Sequence, residues 1–114
     1  MKIKEIAEVI EATLVCGDDR IENEIRCGFA SDLMSDVLTL DSEQLILITG
    51  LANLQVIRTA EMAEVGCILF VRDKHVTPEM LEVAIENNMV LLECKSSMYS
   101  TVGKLYEAGL RPVY

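Results

Sequence analysis

Across its 114 residues the chain carries 19 acidic against 10 basic side chains, a formal net charge of -9, and it is 51% hydrophobic. That length fits one domain with a proper apolar core, and an acidic balance without any Lys/Arg run argues against nucleic acid and anionic membrane surfaces as partners. No apolar run approaches the ~20 residues of a membrane span, and Met1-Lys2-Ile3-Lys4-Glu5 does not open a signal peptide, so the expected location is cytoplasmic.

Ile3, Ile6, Ala7 and Ile10 recur at helical spacing and predict a short helix from Ile3 to about Glu11. Ala12 to Cys16 then reads as a strand closed by Gly17-Asp18-Asp19. Glu24 to Phe29 reads as a second strand, in which Gly28 marks a bulge or a place where another backbone comes close. Ser31 or Asp32 is placed to cap a short helix with Leu33, Met34, Val37 and Leu38 as its apolar face. After the turn Asp41-Ser42-Glu43, the unbroken run Leu45 to Thr49 stops at Gly50, the pattern of a strand buried on both faces. Beyond Gly50-Leu51-Ala52-Asn53 the spacing turns helical through Val56, Ile57, Ala60 and Ala63. This predicts a helix capped by Asn53 that runs to about Val65 and stops at Gly66.

Cys67 to Val71 is a further short buried strand, followed by the polar loop Arg72-Asp73-Lys74-His75. Thr77-Pro78 opens a helix to about Asn88 that packs through Met80, Leu81, Ala84 and Ile85. Met89 to Cys94 is the last predicted strand. Ser96 or Ser97 caps a final helix with Met98, Val102 and Leu105 inward, ended by Gly109 and kept from continuing by Pro112. From residue 45 onward the order is β-α-β-α-β-α with short connections. The expected fold class is α/β: a single compact three-layer domain over residues 1–114, with a mostly parallel sheet and helices on its faces.

In an open parallel sheet, ligands bind beyond the carboxyl ends of the strands. Here those ends are Ser31-Asp32, Thr49-Gly50-Leu51-Ala52-Asn53, Arg72-Asp73 and Lys95-Ser96-Ser97. They gather hydroxyls, an amide, cations and the free N–H groups of helix starts on one edge, which suits a small molecule or anion. Ser31, Asp32, Thr49, Gly50, Asn53, Arg58 and Arg72 are the candidate ligand-binding residues. Capping alone accounts for Asn53, Ser96 and Thr77, and Arg58 is equally able to pair with Glu61. The Gly50 turn is neither a phosphate loop nor a dinucleotide fingerprint, because G-x-x-x-x-G-K-[ST] and G-x-G-x-x-G are both absent. His75 has no nucleophile beside it, and Asp32 with Asp36, four apart, reads first as solvated carboxylates rather than a cation site. Cys16, Cys27, Cys67 and Cys94 form no C-x-x-C pair and read as reduced core thiols. No metal, cofactor or catalytic residue is expected. Tyr99 and Tyr106, seven apart on the last helix, are the candidate interface stripe for a second subunit, with burial inside the monomer as the alternative.

Three stretches together carry a resemblance: ASDLMSDVL (Ala30–Leu38), LITGLANLQVIRTAEM (Leu47–Met62), and ILFVRDK with the final Gly103 to Leu110. They resemble the DRTGG domain family, which is similar to the N-terminal domain of HPr kinase/phosphorylase and to the amino-terminal domain of Mur ligases. The literal Asp-Arg-Thr-Gly-Gly string does not occur in this chain. The resemblance implies a non-catalytic accessory module of the kind found in phosphotransacetylases and between the CBS modules of regulated pyrophosphatases. It also implies a homodimer near adenine-nucleotide regulators, with Gly50, Asn53, Ser31 and Asp32 as contact positions. The leading expectation is a regulatory, ligand-sensing module for a small anionic metabolite or nucleotide. The alternative is a structural domain that docks on a separately encoded metabolic enzyme, and a small enzyme built on His75 or the Asp32/Asp36 pair ranks last.

Overall fold

Six strands, β1 (Thr13–Cys16), β2 (Cys27–Ala30), β3 (Leu45–Thr49), β4 (Cys67–Phe70), β5 (Val90–Glu93) and β6 (Arg111–Pro112), form one sheet in the computed structural model, which describes residues 1–114. Their order across the sheet is β1-β5-β4-β3-β2-β6. All neighbours run parallel except β1, which pairs antiparallel with β5 at one edge. The five helices are α1 (Ile3–Val9), α2 (Met34–Val37), α3 (Leu54–Met62), α4 (Pro78–Glu86) and α5 (Met98–Glu107). No helix is long and apolar enough to cross a membrane.

The period-two alternation of the central strand divides the core. Leu45 and Leu47 face α2, α3 and α4, together with Val37, Val56, Ile57, Ile68, Phe70 and Met80. Ile46 and Ile48 face α1 and α5, with Ile3, Ile6, Leu69, Leu92 and Leu105. Every residue of β3 is buried, as a strand covered on both faces requires. The path from β2 through β3 and β4 to β5 moves one way along the sheet with its helices on one face. The return from β5 to β6 crosses the other face on α5. A reversal of direction with a change of face is what a constant crossover hand produces. This is the predicted three-layer α/β arrangement.

The caps at Asn53, Thr77 and Ser97 are present: each side chain accepts from the backbone N–H three residues on, at Val56, Met80 and Ser100. Several boundaries differ from the sequence reading. α3 ends at Met62, and the left-handed residue past its end is Glu64 (φ 57°), while Val65 N–H donates back to Ala60 O (2.8 Å). The closing turn therefore comes two residues before Gly66, which shows that the backbone hydrogen bond and not the nearest glycine ended the helix. Gly28 is no bulge, since β2 keeps register with β3 throughout; the neighbour that comes close is the Leu110 side chain, 3.1 Å from where a Cβ would stand. Leu33, Leu38 and Ile85, expected inward, are 59%, 51% and 58% exposed, because α2 is only one turn long and α4 buries Met80 and Ala84 instead. The strand expected from Glu24 begins at Cys27, and the segment after Gly109 adds a strand, β6, that the sequence reading omitted.

Candidate functional site

Parallel β2, β3, β4 and β5 bring their carboxyl ends to one edge, and the residues that follow them interlock there. Thr49, the last residue of β3, is wholly buried, and its hydroxyl donates to Asp32 Oδ1 (2.8 Å) while accepting from Leu51 N–H (3.2 Å). Gly50 N–H donates to the same Asp32 oxygen (2.7 Å). Arg72, just beyond β4, donates from Nη2 to Gly50 O (3.2 Å) and lies 3.5 Å from Asp32 Oδ2. Both members of that ion pair are about half exposed, so its direct contribution to stability is small. Arg72 reaches this position because Gly50 lacks a side chain: a Cβ there would stand 2.7 Å from Arg72 Cζ, with the guanidinium nitrogens closer still.

The backbone after β4 is held equally firmly. Arg72 (φ 62°) and Asp73 (φ 59°) are consecutive left-handed residues, a conformation L side chains seldom adopt. Their N–H groups donate to Ser96 O (2.8 Å) and Cys94 O (3.0 Å), which fastens the loop across the end of β5.

Four of the seven predicted ligand-binding residues, Asp32, Thr49, Gly50 and Arg72, thus meet in one hydrogen-bonded cluster. The other three are placed differently. Ser31 Oγ accepts from Leu33 N–H (3.0 Å) in a local turn. Asn53 Oδ1 is engaged as the cap of α3 (3.1 Å to Val56 N). Arg58 is exposed on α3 and forms no ion pair with Glu61 or any other carboxylate. Asp32 lies ahead of α2 and caps nothing; the N-cap of α2 is Leu33. Asp32 and Asp36 are therefore not a carboxylate pair on one helix face, and no group of three His, Cys, Asp or Glu side chains is placed to hold a metal ion.

A crevice of about 170 Å³ opens farther along the same edge, lined by Thr13, Asp73, His75, Glu93, Lys95 and Ser96 among others. It lies where the connection after β4 leaves by one face and that after β5 by the other, the switch point at which open α/β sheets place ligands. Glu93 Oε2 accepts from Val76 N–H (2.6 Å), and Glu93 Oε1 faces His75 Nδ1 (3.2 Å); Asp73 Oδ1 is 3.5 Å from His75 Nε2. Glu93 is no candidate from the sequence, because it ends a buried strand. Its only signal was a charged residue, between Leu92 and Cys94, in an otherwise apolar run.

Tyr99 and Tyr106 both project from α5, 92% and 55% exposed, which removes the alternative of burial within the monomer. Arg111 stacks its guanidinium over the Tyr106 ring at 4.2 Å. All four cysteines are free thiols. Cys67 is fully buried, and desolvation pushes its thiol up to about 12, while partial burial raises that of Cys16.

A scan of protein-family models finds no match to this chain, and a comparison with curated proteins finds none either. Among solved structures, the chain superposes on the CBS and DRTGG domains of the regulatory region of Clostridium perfringens pyrophosphatase, determined in complex with its activator, diadenosine tetraphosphate. The TM-score is 0.75 over 98% of this chain, at 14% identity, and the match spans 48% of that structure's chain. At that identity the likeness is one of fold, and it supports a DRTGG-like fold for this chain.

Proposed function

We propose that this chain is a non-catalytic regulatory module that binds a small anionic metabolite or nucleotide at the carboxyl edge of its sheet. The observation that carries the reading is the cluster itself. Three strand ends, distant in sequence, converge on one group of donors and acceptors made by Asp32, Thr49, Gly50 and Arg72, with an open crevice beside it. Its Arg72 guanidinium is half exposed and available to a phosphate or carboxylate. The fold likeness to a regulatory region solved with a nucleotide activator supports a sensing rather than a catalytic role. On this reading residues 1–114 act as one domain, in the cytoplasm and as a homodimer, with the exposed Tyr99/Tyr106 face of α5 as the subunit contact.

The test is a titration of ¹⁵N-labelled protein with inorganic phosphate, AMP, ATP and diadenosine tetraphosphate, alongside thermal shifts. A compound held at about a hundred times its dissociation constant should stabilise the fold by ~2.7 kcal/mol. It should also displace the amide resonances of Gly50 and Arg72, and Arg72→Gln should abolish both effects. Silence from all four compounds would refute the sensor reading. It would favour the second one, in which the exposed tyrosines of α5 dock the domain on a separately encoded metabolic enzyme. Light scattering that reports a monomer at high micromolar concentration would remove the homodimer.

A further inference from the structure

The cluster has an unusual internal arrangement: the place an anion would take is already filled by an anion of the chain itself. Asp32 Oδ1 receives the Gly50 N–H and the buried Thr49 hydroxyl, and Asp32 Oδ2 faces the Arg72 guanidinium. A backbone N–H at a strand end, a fixed hydroxyl and an arginine are the donors with which proteins bind phosphate and carboxylate groups. Asp32 performs no local task that would explain its position. It stands immediately ahead of α2, yet that helix has no side-chain cap, and the neighbouring turn is closed by Ser31. Its carboxylate instead crosses to residues 17 and 18 positions later. Its side chain is 47% exposed, so a rotation about its own side-chain bonds would carry the carboxylate into solvent without unpacking the core.

We infer that Asp32 is a built-in occupant of an oxyanion site, and that a ligand's phosphate or carboxylate group binds by displacing it from Gly50, Thr49 and Arg72. This deepens the sensor reading and rests on the same edge. It assigns the ligand chemistry, a phosphate or carboxylate group that accepts from these donors, and a regulation, since affinity is held down by competition with an internal carboxylate. Gly50 belongs to the device because only its missing Cβ lets Arg72 lie against the site.

The probe is inorganic phosphate, read at the Gly50 amide, with wild type compared against Asp32→Ala, and Asp32→Ser as a second variant should the first fold poorly. Removal of the occupant leaves the donors free and removes a like charge, so phosphate should bind at least about tenfold more tightly. The gain should vanish in Asp32→Ala/Arg72→Gln. Asp41→Ala, which removes an exposed carboxylate elsewhere, controls for net charge and should show no gain. Unchanged phosphate affinity in a folded Asp32 variant overturns the inference, as does a gain equalled by Asp41→Ala or one that leaves Gly50 unmoved. Failure here is separable from failure of the sensor reading. Wild type that answers a nucleotide at Gly50, while Asp32→Ala gains nothing for phosphate, overturns the occupant and keeps the sensor. Wild type that answers none of the four compounds, while Asp32→Ala gains affinity for phosphate, supports the occupant and removes the sensor.

Discussion

Replacing Thr49 by valine asks whether the strand-end cluster is held by hydrogen bonds or merely accompanies the packing. Valine matches threonine in shape, so the substitution removes only the hydroxyl from a side chain with no solvent exposure. Two bonds go with it, the donation to Asp32 Oδ1 (2.8 Å) and the acceptance from Leu51 N–H (3.2 Å). Asp32 is half exposed and turns to water at little cost. Leu51 is only partly buried, so its N–H loses its partner without full access to solvent. One such loss costs about 1–3 kcal/mol, set against a gain of a few tenths from burying a methyl in place of a hydroxyl. With about 2.1 cal/mol/K of unfolding entropy per residue, a 2 kcal/mol loss lowers Tm by roughly 8 °C for a chain of this length. Thr49→Ser supplies the counterweight, since it keeps the hydroxyl and loses one buried methyl, worth roughly 1 kcal/mol. Urea unfolding followed by circular dichroism should therefore rank wild type above Thr49→Ser and Thr49→Ser above Thr49→Val, with equal m values. A Thr49→Val protein as stable as wild type, or more stable than Thr49→Ser, refutes the reasoning and makes the cluster incidental to the fold.

Three further outcomes follow from single positions. Gly17→Ala should destabilise by ~2 kcal/mol or more in calorimetry: the residue sits at φ 92°, and a Cβ would lie 2.7 Å from Val90 Cγ2 and 2.9 Å from Val90 Cα, the latter backbone that cannot step aside. Gly50→Ala should cost under about 1 kcal/mol, because the obstructing Arg72 guanidinium ends a flexible side chain, yet a crystal structure should show it driven off the Gly50 carbonyl; an unmoved guanidinium would contradict the close approach. Cys67 gives a pH dependence whose sign is fixed. The unfolded thiol ionises near its ordinary 9.0 and the folded one only near about 12, so above pH 9 the native state binds more protons than the unfolded state and stability falls. The contribution is intact below pH 9 and lost progressively up to pH 12. Between pH 8 and pH 10 wild type should therefore lose ~1.4 kcal/mol more than Cys67→Ala, and equal losses would show that the buried thiol is not the titrating group.

The fold was legible because its signals are local and its central strand is extreme. Leu45 to Thr49 has no polar break except its last residue, so burial on both faces followed directly, and with it a parallel sheet between helices. The caps at Asn53, Thr77 and Ser97 were legible for the same reason: each bond spans three residues. What failed were features decided at a distance. Gly66 looked like a helix stop, but the chain adopts its left-handed turn at Glu64, since Val65 must be delivered into the core beneath β4. β6 escaped notice because its two residues, Arg111 and Pro112, carry no strand pattern of their own and are recruited only by the free edge of β2.

The same division runs through the candidate site. A parallel sheet places its strand ends together whatever the strand order, so the edge and the residues on it could be named from the chain alone. Which of them touch depends on neighbourhood. Asp32, Gly50 and Arg72 meet because β2, β3 and β4 are adjacent, a fact carried neither by the capping pattern at Asp32 nor by its spacing to Asp36. The crevice at Glu93 and His75 depends on more: β1 must lie antiparallel beside β5, and the return crossing to β6 must leave by the opposite face. Gly50 links the two levels. In the sequence it marks only the end of a strand; in the fold its missing side chain is the space that lets an arginine 22 residues later close over the site. A glycine that ends a buried parallel strand is therefore worth reading as a vacancy to be filled by the loop of the next strand, as well as a turn.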